Sequence, residues 1–317
     1  MPWSSVTPIL VWAAIFLPIT VVLWIFPPRN WLTVLLTVLA YAAASFYCVL
    51  AINWAMVNYW LRLAPVILTI AVTIRMIAQA KNRPFFPRPG IFPLASVFVA
   101  LAVLVGAVYV DTLVLKSYRY DSYTGQPVLL RYPLRYGMYV ITNGGNGLEG
   151  LGMSDHYMDW RGQKNGASPA TAYGVDMMKM RFRGWIGDGV MPNSTHKYEG
   201  FRDNVYSPCV GKVVFVEDGH PDVALQPASD KLGNRVVIQC YEYYVTLANL
   251  MNDSILVEVG QNVDMQNQLG QVGSSGDPAV PHLFIYATTG SWDETGQPVP
   301  LSFELRFHER NDILIPQ

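Results

Sequence analysis

Long apolar runs without charged side chains fill the first third of this 317-residue chain. Residues 9–26 and residues 91–110 contain no charged side chain. Each run is close to the roughly 20 residues that a helix needs to cross about 30 Å of hydrocarbon. Both runs are therefore predicted to be membrane spans.

The segment between these two runs is also apolar. Residues 31–61 carry no charge, and residues 63–80 carry only Arg75. The first of these is longer than one span requires, so we predict one helix from its start to the mid-fifties and a second helix that ends near Ala80. Four spans result. Three spans are the alternative, but a single crossing by this whole segment would leave too much apolar surface in water.

Charged residues are scarce and unevenly distributed. They make up 14% of the chain, whereas a soluble domain averages about 25%, and this difference excludes an ordinary soluble enzyme. Residues 1–115 hold six basic side chains and one acidic side chain, and the remainder holds 16 basic and 22 acidic ones. The chain thus divides into a lipid-facing part and a mildly acidic part in water. Because phosphate binding needs a basic face, no nucleic-acid partner is expected.

The connection at residues 81–90 sets the predicted orientation in the membrane. It contains three basic side chains within one short loop, which by the positive-inside bias lies on the cytoplasmic side. The N-terminus and everything after about residue 115 would then lie outside. We predict a transmembrane domain over residues 1–115, connecting strands and a Gly-rich loop over 116–172, and a further domain over 173–317.

Short β-type runs separated by turn residues follow the apolar region. The predicted strands cover residues 128–142, 173–180, 213–216, 236–239, 243–247, 255–259, 282–287 and 302–307. They indicate an all-β domain of about 200 residues. The Gly-rich segment 142–172 is predicted to be an irregular loop. Its Gly145, Gly147 and Gly150 match a dinucleotide-binding spacing, but no helix pattern follows to hold a pyrophosphate, so that site is not predicted.

Two of the three cysteines lie in neighbouring strand-like runs. If these runs pair antiparallel, Cys209 and Cys240 can form a disulfide, and two buried free thiols are the alternative. Cys48 falls within a predicted span.

An ordered series of short motifs runs through the predicted β domain. It consists of YSPCVGKVV from Tyr206, GNRVVI from Gly233, YVTLANL from Tyr244, VEVGQNV from Val257, GQVGSSG from Gly270 and PHLF from Pro281. With the YGVD that ends at Asp176, this series resembles the lysostaphin/LytM-type zinc endopeptidases, which cut peptide cross-links in bacterial cell walls. The resemblance implies an all-β LytM-like (duplicated hybrid motif) domain. With the spans predicted from the apolar runs, the expected fold is an α-helical transmembrane bundle of about four helices followed by this domain.

The residues that hold zinc in this family are mostly replaced. The family uses a His and an Asp from a HxxxD motif and the second His of a HxH motif. Here Asp176 occupies the Asp position, but Ala172 stands at the His position before it. His282 is the first His of the last motif, Phe284 replaces the zinc-binding second one, and Asn249 replaces a further active-site His. A catalytic zinc needs three protein ligands and an open position. No catalytic residue is therefore expected.

Other roles for these side chains are open. The resemblance places a groove-binding set at Tyr173, Asp176, Asn249, His282 and Phe284. His156, in the Gly-rich loop, is the candidate to restore a metal site together with Asp176 if the loop folds over the groove. The plainer alternative is structural: Asp176 accepts hydrogen bonds at a strand end, and His282 fills a hole as a neutral ring.

The leading functional prediction is a catalytically degenerate homologue anchored in the bacterial cytoplasmic (inner) membrane. Its C-terminal domain would lie in the periplasm or outside and act as a binding, scaffolding or regulatory subunit of a membrane or cell-wall complex. An integral membrane protein is the expected partner, with peptidoglycan or a wall hydrolase as further partners and membrane lipid around the helices. No cofactor is expected. The alternative is an active zinc endopeptidase with a rearranged ligand set. A third hypothesis is a transporter with an external cap.

Overall fold

The computed structural model describes residues 3–120, 123–151, 154–157, 168–226, 228, 230–276 and 280–316. Its first part is helical, with α1 at Trp3–Ile25, α2 at Trp31–Ala51, α3 at Ala64–Ala80 and α4 at Ile91–Lys116. Two 3-10 helices, Trp54–Met56 and Tyr59–Leu63, connect α2 to α3. The described residues contain 4 helices that are long and apolar enough to cross a membrane. This number equals the predicted number of spans.

Helix α2 ends earlier than the sequence predicted. The absence of charge suggested a helix into the mid-fifties, but Ile52 already has extended backbone angles. The last carbonyls of a helix have no partner within it and must be capped from elsewhere. Here Trp54 donates its indole N–H to Cys48 O at 2.7 Å, and Asn311 of the second domain donates to Leu50 O at 2.9 Å. The helix ends where these donors become available.

The second part of the chain is built from short strands. These are β1 Val128–Leu130, β2 Tyr139–Asn143, β3 Val175–Lys179, β4 Asn204–Tyr206, β5 Gly211–Glu217, β6 Asn234–Cys240, β7 Tyr243–Leu250, β8 Asn262–Val263, β9 Gln268–Gln271, β10 Leu283–Thr289, β11 Gln297–Val299, β12 Leu301–Phe303 and β13 Ile313–Leu314. A 9-stranded sheet has the order β13-β2-β3-β10-β7-β6-β5-β8, with β11 paired to β10. Strands β1 and β12 form a separate parallel pair, and β4 and β9 an antiparallel pair.

Two of the predicted strands were wrong in detail. Residues 128–142 form two strands in different sheets, because the intervening segment contains Pro133 and the left-handed Tyr136, at φ 56°. Residues 255–259 form no strand, although their side chains partly alternate. One backbone hydrogen bond, from Leu256 N to Leu269 O at 2.9 Å, does not extend into a ladder. The other predicted runs overlap observed strands.

A large apolar core fills the space beneath the main sheet. Val236, Ile238, Val245, Leu247 and Ile285 are among its fully buried members. Because β5 and β6 pair antiparallel, the chain just before β5 lies beside the end of β6. The structure joins Cys209 and Cys240 there by a disulfide, with 6.1 Å between their Cα atoms.

The β domain packs directly on the helical domain. A shared apolar cluster contains Val6, Met56 and Tyr59 from the helical part and Val140 and Met178 from strands β2 and β3. These strands lie beside β13, the first strand of the sheet order, so this end of the sheet faces the helices.

Candidate functional site

Three neighbouring strands bring the predicted site residues together. Asp176 of β3 lies opposite Phe284 of β10, which in turn lies opposite Ala248 of β7. His282 directly precedes β10, and Asn249 follows Ala248. Asp176, Phe284, His282 and Asn249 therefore meet at one place on the sheet.

Asp176 is the buried centre of this site. Only 1% of its surface is exposed, and Asn143 of β2 donates an amide hydrogen to its Oδ2 at 2.6 Å. Nε2 of His156 lies 3.1 Å from Oδ1, and Nε2 of His282 lies 3.6 Å from the same oxygen. Burial by itself would raise the pKa of Asp176, but the two histidines and Asn143 lower it to about 2. The carboxylate is thus ionised.

His282 uses both of its ring nitrogens in local contacts. Its Nδ1 lies 2.6 Å from Val280 O, and because a carbonyl only accepts, this nitrogen carries the hydrogen. Its Nε2 lies 2.6 Å from Nδ2 of Asn249, which has hydrogens to donate. Both ring nitrogens of His282 are therefore occupied, Nδ1 by Val280 O and Nε2 by Asn249. The structure thus gives His282 the geometry of a satisfied buried ring.

Phe284 fills the volume beside Asp176. A Cβ atom built on Gly174 would lie 2.4 Å from Cε2 of Phe284, so the ring fits only because residue 174 has no side chain. The ring of His156 stacks on Phe284, with 4.1 Å between centroids and 19° between planes, and Tyr286 stacks nearby. Ala172 is fully buried and offers only a methyl group. Apolar contact therefore occupies this part of the site.

The donor set does not fit a catalytic zinc ion. Within the described ranges, no group of three or more His, Cys, Asp or Glu side chains is arranged to hold a metal. Asp176 supplies a carboxylate, but the Nε2 of His282 faces Asn249, and His156 lies flat on Phe284. Because a hydrolytic zinc needs three free donors and an open position, these residues fall short of that requirement.

The groove-binding set is buried rather than exposed to a ligand. Asp176, Asn249, His282 and Phe284 each have less than a tenth of their surface accessible. Tyr173 is also buried, with its ring near those of Tyr123 and Phe307. The remaining three histidines have other contacts. His220 pairs with Glu217 at 3.0 Å and His308 with Asp312 at 3.0 Å, and the ring of His196 lies 5.0 Å from that of Phe201.

Arg310 connects this site to the helical domain, and no motif in the sequence singles this residue out. It is 3% exposed and donates to Thr142 O at 2.7 Å and to Ala51 O, at the end of α2, at 2.8 Å. It also contacts Oδ1 of Asn143 and lies 2.9 Å from Asp155 Oδ2. Asn143 in turn holds Asp176. The buried polar chain thus runs from the helix end through Arg310 and Asn143 to the centre of the site.

Comparison with known proteins identifies the family of the β domain. Residues 196–299 match peptidase family M23 and form an M23 (LytM-type) domain. Asn249, His282 and Phe284 lie inside the matched segment, whereas Asp176 precedes it and reaches the site through the pairing of β3 with β10. No curated protein matches the chain.

Several solved peptidases resemble the chain at low identity. A zinc-containing peptidase from Vibrio cholerae is 18% identical, with a TM-score of 0.32, over 56% of this chain and 41% of the other. A mutant catalytic domain of the M23 protein EnpA from Enterococcus faecalis is 17% identical, with a TM-score of 0.31, over 47% and 86%. The catalytic domain of lysostaphin from Staphylococcus simulans is 21% identical, with a TM-score of 0.27, over 40% and 74%. The chain thus spans less than half the length of the Vibrio cholerae peptidase, and the domain assignment rests on the family match.

Proposed function

From the M23-type domain in residues 196–299, we propose that this protein is a catalytically degenerate, membrane-anchored peptidase homologue. In this proposal the β domain lies on the external face of a bacterial cytoplasmic membrane and serves a binding, scaffolding or regulatory role in a membrane or cell-wall complex. The main support for this proposal is that side chains of the protein itself fill the site. Phe284 and His156 stack where the resemblance implies a metal ligand, and Asn249 occupies the Nε2 of His282.

The connection between the domains supports a structural role. A flexible tether would suffice to hold a hydrolase near its substrate, but here the β domain caps the end of α2 with Arg310 and Asn311. Apolar residues on both sides of the contact share one buried cluster. Such a contact fixes the orientation of the β domain relative to the helices, as a scaffold requires.

The expected partners follow from the two surfaces. Four apolar helices exceed the single span that an anchor needs, so lateral contact with another integral membrane protein is proposed. Peptidoglycan or a wall hydrolase is proposed for the external face. The excess of acidic side chains after residue 115 gives no reason to propose a nucleic-acid partner.

Metal content and wall cleavage test this proposal together. The full-length protein purified in mild detergent is expected to contain no stoichiometric zinc and to leave purified sacculi intact, while copurifying with a membrane partner. The double variant Ala172→His with Phe284→His offers the family's missing donors and serves as a positive control for metal binding.

The alternative function is an active zinc endopeptidase, and one observation favours it. His156 lies 3.1 Å from Asp176, so the Gly-rich loop brings an imidazole to the retained carboxylate. Under this alternative, stoichiometric zinc would be present in the wild-type protein and would be lost in both Asp176→Asn and His156→Ala. Cleavage of sacculi with the same dependence would refute the degenerate assignment.

A further inference from the structure

A tight turn of the β domain lies against the start of a candidate span. Gly184 N donates to Arg181 O at 2.8 Å, which closes a turn with Phe182 and Arg183 at its tip. The turn is bound to residues 58–60, at the 3-10 helix that leads into α3. Tyr59 N donates to Gly184 O at 2.9 Å, and Trp60 Nε1 donates to Phe182 O at 2.9 Å.

The fit between this turn and the span is specific. Asn58 Nδ2 also donates to Arg183 O at 3.0 Å, so three donors from the helical part bind three successive carbonyls. Gly184 has φ +84°, and a Cβ there would lie 2.7 Å from Cδ1 of Trp60. Any larger residue would push the turn away from the span. The height of the turn is therefore set relative to Tyr59, where the candidate span Tyr59–Ala80 begins.

The side chains at the tip of the turn are exposed. Phe182 is 83% exposed, beside Trp60 at 41%. Arg181 is held by Asp188 at 3.0 Å and by Glu199, but the described residues provide no ion-pair partner for Arg183. A large exposed aromatic residue and an unpaired guanidinium, at the level where a span begins, match the composition of the membrane interface, where aromatic rings and basic side chains meet headgroups.

We infer that the turn Arg181–Gly184 contacts the outer phospholipid leaflet. Phe182 lies at the boundary between glycerol and acyl chains, and Arg183 pairs with a lipid phosphate. This inference rests on the proposed membrane anchoring, and it adds a second, non-helical contact that seats the β domain on the bilayer.

Depth-dependent quenching tests the contact. Single variants Phe182→Cys, Ile70→Cys and Val259→Cys, each labelled with NBD, are placed in phosphatidylcholine nanodiscs with and without 5-doxyl lipid. Ile70 is 55% exposed on α3 and reports on the span. Val259 is 63% exposed beside β8, at the opposite edge of the sheet from β2. Six strand spacings separate β8 from β2, roughly 29 Å.

We expect a loss of NBD emission in doxyl-containing discs at positions 70 and 182, and none at 259. Adding Arg183→Gln to the labelled Phe182→Cys chain is expected to weaken quenching, because the phosphate contact is lost. Quenching at position 70 without quenching at position 182 would refute the lipid contact of the turn but not the membrane anchoring. Equal quenching at positions 182 and 259, or no effect of Arg183→Gln, would refute the contact in the same way. Absence of quenching at 70 would instead refute the anchoring on which the inference depends. Wild type treated with the same NBD reagent controls for reaction at the buried Cys48.

Discussion

Replacing Arg310 should both destabilise the β domain and loosen its contact with α2. Arg310→Met keeps most of the aliphatic stem but removes the donors to Thr142 O and Ala51 O, and it leaves Asp155 and Asn143 without this guanidinium. Loss of the charged donor costs about 1–3 kcal/mol for each of the acceptors Thr142 O, Ala51 O and Asn143 Oδ1. Asp155 is 33% exposed and is solvated instead, so we take about 3–5 kcal/mol in total. For a domain of this size, each kcal/mol lowers the melting temperature by about 2–4 °C, so we expect a fall of roughly 6–20 °C.

Arg306→Met is the matched control. Arg306 pairs with Asp312 at 3.2 Å, but its side chain is 64% exposed. An exposed pair contributes about 0–1 kcal/mol, so this variant should melt close to the wild type. Both variants are measured as full-length protein in the same detergent by thermal unfolding, with the near-ultraviolet circular dichroism of the β domain as the signal.

A second measurement in the same samples reports on the helix end. Cys48 is buried, and its carbonyl belongs to the capped end of α2. Loss of the cap at Ala51 O should allow that end to fray, so a small maleimide should alkylate Cys48 faster in Arg310→Met than in Arg306→Met. The reasoning is refuted if the free energies of unfolding of the two variants agree within about 1 kcal/mol and their Cys48 thiols are alkylated at the same rate. The polar chain would then have no role in joining the domains.

Three further predictions concern the site and its surroundings. Asp176→Asn should lower stability by about 2 kcal/mol just above pH 3.8, because the folded pKa of Asp176, about 2, lies below the ordinary 3.8. This stabilisation is lost as pH falls towards 2, so chemical unfolding between pH 2 and 5 should show a smaller pH dependence in the variant. Phe284→Ala should cost about 3–5 kcal/mol in thermal unfolding, because it opens a cavity between Gly174 and His156, whereas unchanged stability would mean that the ring is not packed there. Burial and the charge of Asp312 raise the pKa of Glu309, so its contribution is present below the ordinary value of 4.5 and decreases as pH rises. Wild-type melting temperature should therefore fall between pH 5 and 8, and Glu309→Gln should remove this slope.

Much of the architecture was predictable from local sequence. Two uncharged runs of about 20 residues and the longer apolar segment 31–80 predicted the four helices, because the length of a span depends only on consecutive side chains. The order of motifs predicted an M23-type domain, and the match to residues 196–299 confirms it. Strand boundaries were less accurate. The predicted strand 128–142 is interrupted by residues whose effect depends on which neighbouring strands can pair with it. The predicted strand 255–259 has no partner strand.

The sequence by itself determined which side chains the site contains. Asp176 supplies a carboxylate and His282 an imidazole, whereas Ala172 and Phe284 carry no atom that could bind a metal. Only the tertiary structure decided how they are used. It placed His156 from a distant loop on Phe284, gave the lone pair of His282 to Asn249, and buried Arg310 between the site and the end of α2. Local patterns are set by neighbours along the chain. Burial and hydrogen-bond partners, in contrast, depend on residues that are distant in the chain. Arg310, for example, meets Ala51 and Asn143, each more than a hundred positions away, only when the two domains pack together.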